Sequence, residues 1–312
     1  IMRIKDISVE NYRNLNSATI TFDESCNFIV GENNLGKSNI LNLLNIIFTR
    51  RGFVYDDFND ANLPITVNIR IKLTNDEIGH FEDLFDIDDY TYINIICKQV
   101  SPDDNMEFYH LETETYISPT LIKCLNFIYY DSLRNPISEI NFDSSKGVGR
   151  FLSRMIKDYV SNTDINTNNL VDIEFTNDLL TNVNTKLEKI KSFKDHAIKA
   201  VLEGDVSLLF PKLISLQDAR GGALSKCGYG IQFLLLVTLS ILNKLQTISD
   251  QRGETGVFVN EDTGERSISV VLGLDEPEIH LHPYMQRSLI KYLNKVINNE
   301  DSDLKLLIKE YC

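Results

Sequence analysis

The sequence predicts an α/β fold, and three observations predict it. Apolar strand patterns alternate with helical ones along most of the 312 residues. A β-hairpin pattern opens the chain and period-two strands follow it, so antiparallel strands accompany the α/β core. From about 146 to 204 the pattern turns helical and polar, with Asn-rich joints at 162–169, as a helical insertion does.

The elements follow in order. Residues 2–9 and 17–22 read as strands around the turn Asn11–Asn16. Asn27-Phe-Ile-Val30 reads as a short apolar strand entering a glycine-containing loop. The next segment is a helix with Ile40, Leu41, Leu43, Leu44, Ile47 and Phe48 on a broad apolar stripe. Ile65, Val67, Ile69 and Ile71 alternate with Thr66, Asn68, Arg70 and Lys72, a half-buried strand. Thr74-Asn-Asp-Glu77 has the form of a capping box opening a short helix. Strands at 91–98 and 126–130 flank a polar hairpin. After Gly221-Gly222 an apolar helix spans about 229–246, then a Gly- and charge-rich loop at 250–266 leads to the strand Ile268–Leu274. A last helix starts at Pro283, where proline suits the first turn.

Composition narrows the class. With 43% apolar and 24% charged residues, disorder, collagen and a disulfide-rich scaffold are excluded. Lys plus Arg is 31 against 45 Asp plus Glu, a net charge of −14. Such a chain does not coat nucleic acid over its whole surface, although one local basic site stays compatible with it. Cys26, Cys97, Cys124, Cys227 and Cys312 are scattered and form no C-x-x-C pair, so free thiols in a reducing cytoplasm are expected. The longest apolar stretch, Ile231 to Leu242, is too short for a bilayer, and no basic segment precedes an apolar one, so neither membrane span nor signal peptide is expected. Ile1 before Met2 reads as an appended residue, and an end at 303–312 without cap or breaker suggests a fragment.

Gly31-Glu-Asn-Asn-Leu-Gly36-Lys37-Ser38 matches G-x-x-x-x-G-K-[ST] in full and lies between an apolar strand and a helix. Backbone N–H groups at the helix start face phosphate, Lys37 neutralises β/γ oxygens, and Ser38 ligates Mg²⁺. Gly31, Asn33, Asn34, Gly36, Lys37, Ser38 and the following Asn39 are therefore candidates for binding ATP. The bland counterpart is a chance Gly-rich turn.

Such a loop needs a carboxylate-bearing strand to hold magnesium and polarise water. Ser269-Val-Val-Leu-Gly-Leu274 is apolar and ends in Asp275-Glu276-Pro277. Asp275 is then a magnesium ligand through the outer sphere, and Glu276 the base that orients the attacking water, with Lys37 as its electrostatic partner in catalysis. A rival use of Glu276, Glu278, His280 and His282 is a transition-metal cluster, for which the three-ligand geometry is undefined by sequence.

The stretch Asp275-Glu-Pro-Glu-Ile-His-Leu-His-Pro283 resembles the Walker B and D-loop of ABC-type ATPase heads of the RecF and SMC kind. Within that group it is most similar to the OLD (overcoming lysogenization defect) family of ATP-dependent nucleases, which includes the Gabija defence nuclease. Ile7-Ser-Val-Glu-Asn-Tyr-Arg13-Asn resembles the family's I-x-N-F/Y-R strand and turn. Tyr129-Tyr-Asp-Ser-Leu-Arg134-Asn-Pro resembles its R-D/N-P strand end, with Asn135 for the commoner Asp. The resemblance covers nearly the whole chain and is weakest at 146–205. It implies a P-loop NTPase of the ABC-ATPase type with an antiparallel β subdomain and a helical insertion.

Ser225-Lys-Cys-Gly228-Tyr-Gly230-Ile-Gln232 takes the place of the ABC signature, as G-x-G-x-Q instead of L-S-G-G-Q. By resemblance Ser225, Gly228 and Gly230 meet the γ-phosphate bound by a second protomer, and a helix start does favour an anion. The alternative is a Ser225 N-cap on an ordinary buried helix. The resemblance also implies a T-H-S switch histidine and a C-terminal TOPRIM nuclease domain, and the sequence contains neither. The expected organisation is a first ATPase half at 2–145, a helical insertion or dimerisation lobe at 146–205, and a second ATPase half at 206–312, cut before the switch strand.

Several residues keep two roles open. Arg13 approaches adenine or ribose, or is an exposed turn residue. Arg134 faces the nucleotide or partner protomer, or forms a structural ion pair. Gln99 is a Q-loop candidate, Lys226 and Arg220 are interface or solvated cations, and Asp56, Asp57, Asp60 and 82–89 read as solvated acids. The functional expectation is an ATP-hydrolysing head that closes head-to-tail as a homodimer or higher oligomer around Mg-ATP. In the whole protein it would regulate a DNA-cutting module in anti-phage defence, with a second defence subunit as a further partner and no membrane. The alternatives are a sensor or scaffold with little hydrolysis and a transporter ATPase, the latter disfavoured by the missing L-S-G-G-Q.

Overall fold

The computed structural model describes residues 2–24, 26–32, 35–74, 77–81, 84–131, 135–140, 147–162, 226–252, 257–260, 263–264, 266–277, 281–298 and 300, with isolated positions at 178–185 and 223. The chain divides into two compact units, one formed by Ile1–Arg134 with Tyr229–Cys312 and the other by Asn135–Gly228.

The first unit opens with a five-stranded antiparallel sheet. Its strands are β1 (Arg3–Glu10), β2 (Ala18–Thr21), β3 (Ile65–Lys72), β4 (Tyr92–Gln99) and β5 (Glu107–His110). They lie in the order β2-β1-β3-β4-β5. The alternation in β3 has the expected effect, burying Ile65, Val67, Ile69 and Ile71 on one face. Register puts Ile7 beside Ile69 and Ile69 beside Ile95, so the buried row crosses three strands. Helix α1 (Lys37–Thr49) adds Ile40, Leu43, Leu44, Ile46, Ile47 and Phe48 to that core.

Residues 27–30 depart from the expected strand. They carry no ladder pairing, and Phe28 and Val30 are 69% and 89% exposed. Asn27 instead closes a turn, accepting from the Asp23 N–H and donating to the Asp23 carbonyl, which directs the chain away from β2. At 74–77 one half of the capping box forms, the Glu77 carboxylate accepting from Thr74 N–H at 2.9 Å, while the Thr74 hydroxyl donates to the same carboxylate and Glu77 N–H bonds the Thr74 carbonyl. Residues 77–81 nevertheless form hydrogen-bonded turns in place of a helix. Glu77 is fully buried and also accepts from Met2 N–H and the Ser269 hydroxyl, so it anchors three segments at once.

After the short helix α2 (Pro119–Ile122), strand β6 (Asn126–Tyr130) pairs in parallel with the later strand β9 (Val270–Leu274). The ladder is short, and β9 starts two residues later than the sequence suggests. In the second unit the described helices are α3 (Pro136–Glu139) and α4 (Gly147–Asn162), where Val148, Phe151 and Leu152 are buried. Most of the expected 146–205 insertion lies outside the described residues.

The first unit resumes with α5 (Tyr229–Arg252), a small hairpin of β7 (Phe258–Val259) and β8 (Arg266–Ser267), then β9 and α6 (Pro283–Ile297). Helix α5 extends the apolar stretch far enough to cross a bilayer by length and composition. Its Phe233, Leu236, Val237, Ile241, Leu242 and Leu245 are buried, the pattern of a core helix, and Phe233 packs edge-on against Tyr130 at 5.9 Å. Pro283 occupies the first turn of α6 as expected. Among the described residues Cys26, Cys97, Cys124 and Cys227 form no disulfide.

Candidate functional site

The glycine-rich loop ends at Gly36, the N-cap of α1, with φ of 95°. A Cβ there would stand 2.8 Å from the Asn14 amide oxygen, so both dihedral and space demand glycine. Among the described residues no side chain caps this helix start and no acid lies in its first turn, so the α1 N-terminus keeps its first N–H groups and positive dipole end for an anion. The Lys37 ammonium folds back over the loop, donating to the carbonyls of Gly31 (2.7 Å) and Glu32 (2.8 Å). Asn33 and Asn34 lie outside the described residues.

Strand β9 brings the carboxylates. Gly273 lets α1 approach, because a Cβ there would meet Phe127 Cζ at 2.7 Å and Leu41 Cδ2 at 3.3 Å. Ser38 and Leu41 are three apart on one helix face, while Gly273 and Asp275 are two apart on the strand. Packing Leu41 on Gly273 therefore carries Ser38 to Asp275. The Ser38 hydroxyl donates to Asp275 Oδ1 at 3.1 Å, joining residues far apart in sequence. A second donor comes from β6, where Tyr129 OH lies 3.5 Å from Asp275 Oδ2. Burial, and then the neighbouring Asp275 charge, push the Tyr129 phenol up to about 12, so it stays a donor at neutral pH. A hydroxyl and a carboxylate converging at this point are the oxygen donors a hard cation such as Mg²⁺ takes.

Glu276 follows with φ of 47°, a left-handed conformation uncommon for a non-glycine residue. Its carboxylate makes no hydrogen bond to another described residue. Of the rival metal cluster, Glu278 and His280 lie outside the described residues. His282 instead caps α6, its Nδ1 accepting from Tyr284 N–H at 3.4 Å. Among the described residues no group of three or more His, Cys, Asp or Glu side chains could hold a metal.

Other candidates are placed differently from their sequence reading. Arg13 is not a free turn residue: its guanidinium pairs with Asp57 at 2.7 Å and donates to Asn39 Oδ1 at 2.7 Å. Asp57, expected on a solvated face, is buried, and its second oxygen accepts from Val54 N–H. Asp86 is likewise engaged, by Arg70 at 3.0 Å and by Asn94. Gln99 is buried with its amide spent on the Phe53 backbone and the Ser101 carbonyl, so its side chain is tied into a loop and not free to sense a cation. Gly230 is buried where a Cβ would meet Met285 Cε at 2.6 Å, whereas Gly228 faces open space. Lys226 is exposed. Ser225, Arg134 and Arg220 lie outside the described residues.

Sequence reasoning missed Asn14, Tyr129 and Gly273. For Gly273 a signal existed, a glycine interrupting an apolar strand, which marks close backbone approach. Tyr129 becomes a partner only through the β6–β9 register, where it lies opposite Gly273.

The sequence matches the AAA ATPase domain family over residues 2–203 and again over 128–309. It is 23% identical to the DNA replication and repair protein RecF of Thermoanaerobacter sp. strain X514, over 99% of this chain and 76% of that protein. The same figures hold for the RecF protein of Thermoanaerobacter pseudethanolicus. Among solved structures, the recombination mediator protein RecF-ATP in the RecFOR pathway is 18% identical, covering 98% of this chain and 69% of that one with a TM-score of 0.35.

Proposed function

The chain belongs to the AAA ATPase domain family, and from that premise we propose that it is a P-loop head of the ABC type that binds Mg-ATP on the loop 31–38 and hydrolyses it. The observation that carries the reading is the 3.1 Å contact between Ser38 and Asp275, which joins the loop to the acidic strand end. In this reading the open α1 N-terminus and the Lys37 ammonium bind the triphosphate, the ammonium exchanging its two loop carbonyls for phosphate oxygens. Ser38 and Asp275 would hold Mg²⁺, which supplies charge neutralisation to the β- and γ-phosphates when bound. Glu276, held in a left-handed backbone conformation at the strand end, orients and deprotonates the attacking water.

The further parts of the proposal rest on resemblance. The chain serves as the ATPase part of an OLD-family DNA endonuclease, in which two heads close head-to-tail around nucleotide. Gly228 and Ser225 of one head then meet the γ-phosphate of the other, while Gly230 packs against Met285 within its own head. The 146–205 segment is the helical insertion of that head, the nuclease activity belongs to a TOPRIM module, and the setting is cytoplasmic anti-phage defence.

Steady-state hydrolysis of the wild type beside Glu276→Gln tests the catalytic core. The substitution should lower turnover by at least about 100-fold and leave ATP bound in equilibrium dialysis. Equal rates would remove Glu276 from its role. ATP binding without turnover in the wild type would replace the enzyme by a nucleotide-gated scaffold.

A further inference from the structure

The turn joining β1 to β2 is built in a costly way. Asn11, Arg13 and Ser17 all have positive φ, at 62°, 45° and 56°, although none is glycine. The turn is held there from outside. Arg13 N–H donates to the Asp57 carbonyl and Asn59 N–H to the Asn11 carbonyl. The Asn11 amide donates to the carbonyls of Asp60 and Leu63 and accepts from Asp60 N–H. The result is a defined position for one guanidinium. Arg13 Nε and Nη2 both meet Asp57 Oδ1, at 2.9 and 2.7 Å, and the Asp57 side chain is 3% exposed.

From Arg13 the contacts run into the phosphate loop. Nη1 donates to Asn39 Oδ1 at 2.7 Å, and Asn39 Nδ2 donates to Asn14 Oδ1 at 2.7 Å. Asn39 lies in the first turn of α1, one residue after Ser38. The Asn14 amide is packed over Gly36, where any Cβ would collide with it. The strained turn, the buried carboxylate and the start of α1 thus form one connected set of hydrogen bonds, in which those of the Arg13 guanidinium are charge-assisted.

We infer that Asp57, Arg13 and Asn39 form a brace that positions the phosphate loop, setting where Lys37 and Ser38 stand. In this arrangement Arg13 is a positioning residue acting through Asn39 and Asn14 on Gly36, and Asp57 fixes Arg13. The inference rests on the nucleotide reading above and adds its phosphate specificity. Because the brace reaches the nucleotide site through Asn14 over Gly36 and Asn39 at the start of α1, it acts on the triphosphate and is indifferent to base and sugar.

The test uses the full chain, with ATP and inorganic tripolyphosphate as probes in magnesium buffer, read by calorimetry. Asp57→Asn, Asn39→Ala and Arg13→Gln should each weaken both probes by the same factor, about tenfold. Combining Arg13→Gln with Asn39→Ala should cost little more than either alone. Arg13→Lys, which keeps the charge on Asp57, should recover part of the loss. Asn39 is half-buried at the helix start, so its variant keeps the test alive if Asp57→Asn fails to fold. A merely structural role would lower the unfolding temperature and leave tripolyphosphate affinity unchanged, which overturns the brace. A loss on Arg13→Gln confined to ATP also overturns it, by assigning the guanidinium to base or ribose. Failure of the wild type to bind either probe would instead sink the phosphate-loop reading itself, and the brace with it.

Discussion

Gly36 and Gly273 do different work although both are glycines beside the site. At Gly36 the dihedral itself is left-handed, so alanine costs about 1–2 kcal/mol before any contact is counted. The Asn14 amide then stands in the way of the new Cβ. Gly36→Ala should therefore unfold at lower temperature and lose ATP affinity together, as thermal scans and calorimetry on one preparation would show. Unchanged nucleotide affinity would mean that the Asn14 contact does not shape the loop. At Gly273 no positive φ is involved; the obstacle is Phe127 Cζ. Gly273→Ala pushes that ring and Leu41 away, so it should weaken the Ser38–Asp275 contact. The expected signature is a raised Mg²⁺ requirement for ATP binding, about tenfold, with magnesium-free nucleotide affinity kept. Loss of both in equal measure would count against it. At this scale the loop and acidic pair were legible because their chemistry is local, fixed by spacing along the chain. Asp57 and Gln99 were not. A carboxylate in a run of acids reads as solvated, and only the fold shows that a guanidinium 44 residues away enters its pocket. Likewise Gln99 looks available at a strand end until the Phe53 backbone closes on it.

Among the elements, the period-two pattern located β3 and the apolar stripe located α1 because each buries one face, while α6 was legible from the proline at its first turn. The 27–30 segment misled for the same reason. Its Phe-Ile-Val run has strand composition, but strand formation needs a partner ladder, and the Asn27 turn leads the chain away from one. The start of α5 holds a second ambiguity, since Gly228 and Gly230 suit either a helix start facing phosphate or close packing. The structure separates them. Gly230 lies against Met285 and Leu281 of the 281–297 segment, so Gly230→Ala should destabilise the chain by about 1–3 kcal/mol through overpacking. A Cβ at Gly228 would meet no atom of a described residue within 4 Å. Gly228→Ala should leave the unfolding temperature within a degree or two while lowering ATP hydrolysis, if that helix start serves a partner's γ-phosphate. Hydrolysis equal to wild type in Gly228→Ala would confine this segment to packing.

For the whole molecule the net charge of −14 governs association. A chain with this balance does not coat nucleic acid over its whole surface, and among the described residues no cluster could hold a metal for strand cleavage. The purified chain should hydrolyse ATP without cutting plasmid DNA in magnesium, and cleavage would refute the assignment of the nuclease to another module. Self-association follows the same charge in the opposite sense. Two heads of equal sign must approach face to face, and their repulsion acts over a Debye length that shrinks from about 30 Å at 0.01 M salt to about 3 Å at 1 M. The local attraction is short-ranged, a helix start meeting bound phosphate, and is screened less than the long-range repulsion. Glu276→Gln, which should hold ATP without turnover, is the form in which to measure this. Its ATP-dependent dimer, followed by sedimentation velocity, should tighten about threefold or more as NaCl rises from about 0.05 to 0.5 M. Tightening with salt in ATP, and a monomer throughout without it, is the outcome expected of heads joined by nucleotide against their own charge. A dimer that loosens with salt would mean instead that complementary charged patches hold the protomers together, and the head-to-tail arrangement around ATP would have to be given up.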